Sequence, residues 1–145
     1  PYGSFSVDRH PHARNFVFIA GGVGITPMMS MLRSLADRGD RRPLVLVYGN
    51  KTWEAVTFRE ELEDLQKRLD LKVVHVLEQP PADWQGERGF VTARLLNDVL
   101  PPQRERNQTE IFICGPAAMM DAVEKALNQL GISPGDFHSE RFDLV

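Results

Sequence analysis

The chain has 145 residues, of which 26% are charged and 42% are hydrophobic, and its formal net charge is −3. This length fits one domain with a core of its own, and the slightly acidic balance excludes the basic surface that nucleic-acid binding requires. A single cysteine excludes an internal disulfide, and no apolar run reaches the ~20 residues of a membrane helix, so we expect a cytoplasmic protein.

The first predicted strand leads directly into a glycine-rich turn. The predicted strand, residues 15–20, is apolar from Phe16 onwards, three glycines follow within residues 21–24, and an amphipathic helix then begins. Thr26 suits the cap position of that helix and Pro27 its first position, where a missing N–H costs nothing. Backbone N–H groups and the positive end of the helix dipole point at one place, which predicts a phosphate-binding site. The alternative is a tight turn that needs glycine only for its geometry.

Strands and helices alternate along the rest of the chain. Further strands are predicted at residues 44–48, 72–77, 110–114 and 136–140, and helices at about residues 27–39, 57–69, 93–99 and 117–130. Gly49 and Asn50 are expected to end the second strand. We therefore predict the α/β class, with a three-layer, doubly wound, five-stranded parallel sheet of the Rossmann-like type and strand order 3-2-1-4-5. Ligands of such sheets bind at the carboxyl ends of the strands.

Four short motifs occur in a characteristic order along the chain. They are Gly-Gly-Val-Gly-Ile-Thr-Pro at residues 21–27, Tyr-Gly-Asn at 48–50, Cys-Gly-Pro at 114–116 and Glu-Arg-Phe at 140–142. With these motifs the chain resembles, over nearly its full length, the NAD(P)H-binding domain of the ferredoxin–NADP reductase superfamily. Residues 48–53 and 86–92 are similar to reductase modules of bacterial phenol- or dioxygenase-type systems, and also to modules fused to ferric-reductase-like membrane domains. Residues 1–5 resemble the junction that follows a flavin-binding barrel.

The resemblance implies roles for individual residues. Cys114 would lie beside the nicotinamide and help to align it, Glu140 would polarise it or relay a proton, and Phe142 would stack on the flavin. The alternatives are a buried core cysteine and a solvated carboxylate at a strand end. The residues expected to hold the nucleotide are Gly21, Gly22, Val23, Gly24, Thr26, Pro27, Tyr48, Asn50, Lys51, Cys114, Gly115, Pro116 and Met119.

The residues just after the second strand are expected to select between NADPH and NADH. A carboxylate there binds the ribose 2′-hydroxyl of NADH, whereas a cation accepts the 2′-phosphate of NADPH. Lys51 favours NADPH, and Glu54 is the competing acid. Lys51 can equally be a solvated loop lysine, so both nucleotides stay open. Trp53 would either cover the adenine or cap a helix.

Features that accompany this superfamily elsewhere are missing from the sequence. The flavin-binding motif and a cysteine pattern for an iron–sulfur cluster are absent, so FAD is expected to be bound mainly by another domain of the same polypeptide. The four histidines do not cluster in the sequence, and no metal site is predicted.

The sequence thus predicts the NAD(P)H-binding half of an FAD-dependent electron-transfer reductase. Residues 15–145 would form this domain, and residues 1–14 a leading segment that arrives from the FAD-binding domain. The nicotinamide would be positioned for hydride transfer to flavin N5, with single electrons passed on to an iron–sulfur, haem or ferric acceptor. Two alternatives are the NADPH-binding domain of a membrane ferric reductase or NADPH oxidase-like protein, with a membrane domain upstream, and a non-catalytic nucleotide-binding regulatory domain.

Overall fold

A six-stranded parallel sheet lies between two layers of helices in the computed structural model, which describes residues 6–142. The strands are β1 (Asn15–Gly21), β2 (Leu44–Asn50), β3 (Leu71–Leu77), β4 (Glu87–Arg88), β5 (Thr109–Pro116) and β6 (His138–Phe142). The helices are α1 (Ile25–Asp37), α2 (Arg59–Arg68), α3 (Ala93–Val99) and α4 (Ala117–Gln129). The strand order is β4-β3-β2-β1-β5-β6. The α/β class and the three-layer architecture are therefore confirmed.

The predicted number of strands was wrong by one. The five predicted strands are β3, β2, β1, β5 and β6, and they adjoin in the predicted order 3-2-1-4-5. The sixth strand, β4, extends the edge beyond β3, where Glu87 pairs with Val76 and Arg88 with Leu77. The strand consists of two charged residues and shows no hydrophobic periodicity, so the local sequence does not predict it. Backbone pairing with the preceding strand, β3, creates it.

The apolar run of β1 is continuous because both faces of the sheet are covered. Phe16 and Phe18 pack into the core shared with α1 and α2, whereas Val17 and Ile19 pack into the core shared with α3 and α4. A strand buried on both sides has no solvent-facing positions, so the usual alternation with polar residues disappears. Since all six strands run parallel, their carboxyl ends meet at one edge of the sheet.

Two element boundaries at that edge differ from the predicted ones. Helix α1 begins at Ile25 rather than Pro27, and Gly24 occupies the cap position that was predicted for Thr26. A short 3₁₀ turn at Gly22–Gly24 shifts the helix start, because the glycines themselves fold into the first helical turn. Strand β2 also continues through Asn50, since it keeps its ladder with β3 up to Leu77. Among residues 6–142, no helix combines the length and the apolar character that a membrane crossing requires.

Candidate functional site

The turn between β1 and α1 favours glycine at two positions, for two different reasons. Gly22 has a φ of 54°, in the left-handed region that favours glycine, and no atom lies within 4 Å of where its Cβ would be. Gly24 lies against the backbone of β5, where an added Cβ would overlap the carbonyl oxygen of Cys114. No side chain caps the start of α1. The N–H of Ile25 donates to the carbonyls of Gly22 and Val23, so this start offers a ligand the positive end of the helix dipole with no side chain in the way.

A second helix begins beside the first. Strand β5 leads into α4, whose cap residue is Pro116, and no side chain caps this start either. Gly21 and Gly115 leave room at the two strand ends for the side chain of Met119 of α4, which occupies the space where their Cβ atoms would be. The amino ends of two helices thus lie at the same edge of the sheet. Each contributes a partial positive charge, which favours an anion such as a pyrophosphate.

A cavity of about 560 Å³ opens between these helix starts and the ends of β2 and β3. Eight of the residues predicted to hold a nucleotide line it. They are Gly21, Gly22, Val23, Tyr48, Asn50, Lys51, Pro116 and Met119. The volume is within the roughly 300–1,000 Å³ of small-molecule sites. The fold therefore brings three segments that are far apart in the sequence to one ligand-sized cavity.

Asn50 gives this cavity an unsatisfied hydrogen-bond donor. The residue is only 7% exposed, and its side-chain nitrogen Nδ2 has no hydrogen-bond partner among the described residues. A buried amide without a partner costs about 1–3 kcal/mol, so such groups are uncommon unless something else satisfies them. Because Asn50 lines the cavity, a rotation of its amide would let Nδ2 donate to a ligand oxygen placed there.

The loops after β2 and β3 form the mouth of the cavity as one unit. The backbone N–H of Glu78 donates to the carbonyl of Asn50 at 3.0 Å, and that of Gln79 to the carbonyl of Lys51 at 2.7 Å. The hydroxyl of Tyr48 lies 3.0 Å from the hydroxyl of Thr57, which fixes the following loop. Lys51 and Glu78 both line the cavity, so one cation and one carboxylate are available to a polar ligand.

The remaining predicted residues lie outside the lining of that cavity. Thr26 is exposed in the first turn of α1, and Gly24 and Gly115 are buried. Glu140 pairs with Cys114 in the register of β5 and β6. Pro27 and Glu140 line a smaller cavity of about 360 Å³ beside the leading segment. The backbone of Phe142 ends β6 opposite Pro116, and its side chain lies outside the described part of the structure.

Cys114 is a neutral thiol in this environment. It is 5% exposed, and burial, with a smaller contribution from the charge of Glu140, raises its pKa from 9.0 to about 11. A thiol becomes a nucleophile only as the thiolate. At neutral pH, Cys114 is therefore suited to packing or positioning rather than to covalent chemistry.

This raised pKa predicts a loss of stability at alkaline pH. The unfolded thiol ionises near pH 9.0, whereas the folded thiol stays protonated up to about 11. The stabilisation is complete below pH 9 and is lost as the pH rises towards 11, by about 2–3 kcal/mol in total. Urea unfolding of wild type and Cys114→Ala over this range should show a difference in unfolding free energy that changes by this amount. Parallel curves would contradict the raised pKa.

Several lining residues were not predicted from the sequence. They are Gly49, Ala55, Thr57, Val76, Glu78, Gly89, Phe90, Val91, Ala118, Ala122 and Val123. Glu78 directly follows the end of β3, and a polar residue at the carboxyl end of a parallel strand is the signal by which it could have been predicted. Phe90 is 69% exposed and follows Gly89, whose φ of 88° turns the chain. Trp53 does not line the cavity; its ring centroid lies 5.4 Å from that of Trp84.

Residues 18–125 match the family model described as the oxidoreductase NAD-binding domain. NADH-cytochrome b5 reductase 2 of Pyricularia oryzae is 37% identical over 139 residues, and the alignment covers 94% of this chain and 40% of that protein. The chain thus spans less than half the length of this curated relative.

Solved structures of reductase domains share the fold. The CS-b5R domains of human Ncb5or, in the NAD⁺ form, are 30% identical with a TM-score of 0.78, covering 92% of this chain and 38% of that chain. The flavohem-like FAD/NAD-binding domain of nitric oxide dioxygenase from Vibrio cholerae is 26% identical with a TM-score of 0.78, covering 90% of this chain and 52% of that chain. The likeness therefore extends over nearly the whole sheet and its helices rather than over one motif.

Proposed function

The chain belongs to the oxidoreductase NAD-binding domain family, and we propose that it is the nicotinamide-nucleotide-binding half of an FAD-dependent electron-transfer reductase. One observation carries this proposal. Two helix starts without side-chain caps and the unpartnered amide of Asn50 meet at a single cavity of about 560 Å³. Such a combination suits a ligand that has both a pyrophosphate and polar ring substituents.

Each part of a dinucleotide has a suitable partner among the described residues. The starts of α1 and α4 favour the pyrophosphate, because backbone N–H groups and helix dipoles stabilise anions. Val23, Phe90 and Met119 offer an apolar surface to a planar ring. The Asn50 amide donates to a ligand oxygen, and Lys51 or Glu78 meets a phosphate or a ribose hydroxyl at the mouth.

The contribution of this chain to the reaction is positioning. Bound NADH supplies a hydride, which in a flavoenzyme passes to FAD. We assign the nicotinamide to the ends of β5 and β6, where Cys114 and Glu140 are neighbours in register. The neutral Cys114 thiol is a small packing surface, and the Glu140 carboxylate places a negative charge at the same strand end. Correct orientation of the two reacting rings is worth several orders of magnitude in rate.

We propose NADH rather than NADPH as the preferred nucleotide. The expectation of NADPH depended on Lys51, but Glu78 lines the same cavity and repels a 2′-phosphate. The relative from Pyricularia oryzae is named NADH-cytochrome b5 reductase 2, which supports the same choice. A carboxylate at the end of a strand in this fold accepts hydrogen bonds from ribose hydroxyls.

The proposed partners are an FAD-binding domain and a one-electron acceptor. The Vibrio cholerae structure is described as an FAD/NAD-binding domain, and this chain covers 52% of it, which leaves room there for a flavin lobe. The relative from Pyricularia oryzae is named for cytochrome b5, a haem protein. We therefore propose that the electrons reach a haem acceptor by way of FAD that is held outside this chain.

A titration of the isotopically labelled chain tests the nucleotide site directly. We expect NADH, added up to about 5 mM, to shift the backbone amide resonances of Gly22, Val23 and Ala118, with NADPH binding no more tightly. Shifts confined to other regions, or no binding of either nucleotide, would overturn the proposal. Tighter binding of NADPH would overturn the preference for NADH and leave the site in place.

The Asn50→Leu variant separates ligand binding from folding. It removes a buried donor that has no protein partner, so we expect no loss of unfolding free energy and a weakening of NADH binding by about tenfold. Asn128→Leu is the matched control, because Asn128 is exposed near the far end of α4 and lies outside the cavity. Both variants are compared by thermal unfolding and by the same titration. Unchanged NADH affinity in Asn50→Leu would remove Asn50 from the site.

A further inference from the structure

Two histidines that are remote in sequence become neighbours in the fold. His10 lies in the leading segment and His138 begins β6, and their ring centroids are 4.7 Å apart. Between them stands Glu110 of β5, whose Oε1 is 3.3 Å from Nδ1 of His10 and 2.7 Å from Nε2 of His138. The sequence reading that the histidines do not cluster was therefore wrong for this pair. A parallel sheet places the starts of β5 and β6 side by side, and the leading segment adds the third group.

We propose that His10, Glu110 and His138 form a binding site for Zn²⁺ that fastens the leading segment to the sheet. One possible ligand atom from each residue lies within 4.8 Å of the other two. Two imidazoles and one carboxylate are a donor set that zinc takes, with a fourth position left for water. Neighbouring ligand atoms in a tetrahedral zinc site are about 3.3 Å apart, so only small side-chain movements are needed.

The surroundings hold these three side chains in place. Phe112 lies beside both imidazoles, with ring centroids 5.8 Å from His10 and 5.0 Å from His138. The side chains of His10, Glu110 and His138 are 19%, 26% and 17% exposed. An ion can therefore enter from solvent, while packing limits the freedom that the ligands lose on binding.

The backbone around His10 is also fixed. Its N–H donates to the carbonyl of Val7 at 3.1 Å, and its carbonyl accepts from the N–H of Ala13 at 3.2 Å. Nη1 of Arg42 donates to the carbonyls of His10 and Ala13, at 3.2 and 2.9 Å. The other two nitrogens of this guanidinium, Nε and Nη2, donate to the carboxylate of Asp40, which holds the Arg42 side chain in place. The loop thus presents His10 to the sheet before any ion binds.

The site is separate from the nucleotide cavity. Glu110 and His138 lie at the starts of β5 and β6, whereas the cavity lies at the carboxyl ends of the strands. On binding, zinc would take a lone pair from each ligand atom, and the proton shared between Nε2 of His138 and Oε1 of Glu110 would be released to solvent. Because the ion would bridge the leading segment and two strands, its binding should stabilise the fold.

Calorimetric titration of the 145-residue chain with ZnCl₂ tests the site. We expect one ion per chain with a dissociation constant at or below about 10 µM, and a rise in Tm of roughly 5 °C with zinc in excess. We expect zinc binding to weaken at least about tenfold in each of three variants, His10→Gln, Glu110→Gln and His138→Gln. Loss of a residue that only hydrogen-bonds to a metal ligand already costs about this much, and loss of the ligand itself should cost no less. His12→Gln should bind as wild type does, because His12 is exposed two residues from His10 and is not part of the cluster.

Two further readouts keep the proposal falsifiable. Co²⁺ in place of zinc should give the visible absorption of a four-coordinate ion, and His10→Gln should abolish it. His10 lies outside the sheet, so this variant tests the site even where a change in β5 or β6 impairs folding. Absence of zinc binding to the wild-type chain, or equal affinity in His10→Gln and wild type, would overturn the proposal.

Discussion

The Gly22→Ala variant is expected to bind NADH at least about tenfold more weakly than the wild-type chain. Gly22 lines the cavity, and no atom lies within 4 Å of the position that a Cβ would take. The added methyl group would therefore occupy space at the uncapped start of α1, where the proposed pyrophosphate lies. It would keep the phosphate oxygens away from the backbone N–H groups, which is the contact that glycine permits.

Gly39→Ala is the matched control for backbone strain in this experiment. Gly39 follows the other end of α1, has a φ of 65°, and likewise has no atom within 4 Å of a Cβ position. Both variants place alanine in the left-handed region, so both should lose about 1 kcal/mol of unfolding free energy. Only Gly22→Ala should lose affinity in the NADH titration. Equal affinities in the two variants would show that no phosphate binds at the glycine turn.

The Gly24→Ala variant is expected to lower the free energy of unfolding by about 3 kcal/mol, or Tm by roughly 10 °C. Gly24 is buried, and its Cβ would overlap the carbonyl oxygen of Cys114. That obstacle is the backbone of a central strand rather than the end of a flexible side chain. To relieve the overlap, the turn would have to move away from β5, which would disturb the start of α1 and the core beneath it.

Gly135→Ala serves as the control for this prediction. Gly135 lies in the short turn before β6, and no atom lies within 4 Å of its Cβ position. Its φ is outside the left-handed region, so alanine should be neutral or slightly stabilising there. Urea unfolding of the two variants beside wild type measures the difference. A Gly24→Ala protein as stable as Gly135→Ala would show that the turn and β5 do not pack as closely as the structure describes.

Local patterns were sufficient to predict five of the six strands and the glycine turn. The apolar runs at 16–20 and 111–114 predict strands, because a strand buried on both faces needs continuous hydrophobicity. Glycines between a strand and a helix indicate an anion site through backbone geometry alone, without any distant residue. The sequence therefore predicted Gly21, Gly22 and Val23 as one wall of the cavity, together with residues after the next strand.

Tertiary structure alone decided which distant residues share a site. The Asn50 side chain is buried where β2 continues along β3 to Leu77, and its Nδ2 has no partner among the described residues. Glu78 reaches the cavity because its loop is hydrogen-bonded to that of β2. The edge strand β4 and the neighbouring pair His10 and His138 have no local signal either. The hydrophobic periodicity of a helix or strand can be recognised within a short stretch of sequence. These contacts, in contrast, form only when different segments of the chain pack together. The sequence determined most of the elements and the glycine turn, and the packing of those elements decided what surrounds that turn.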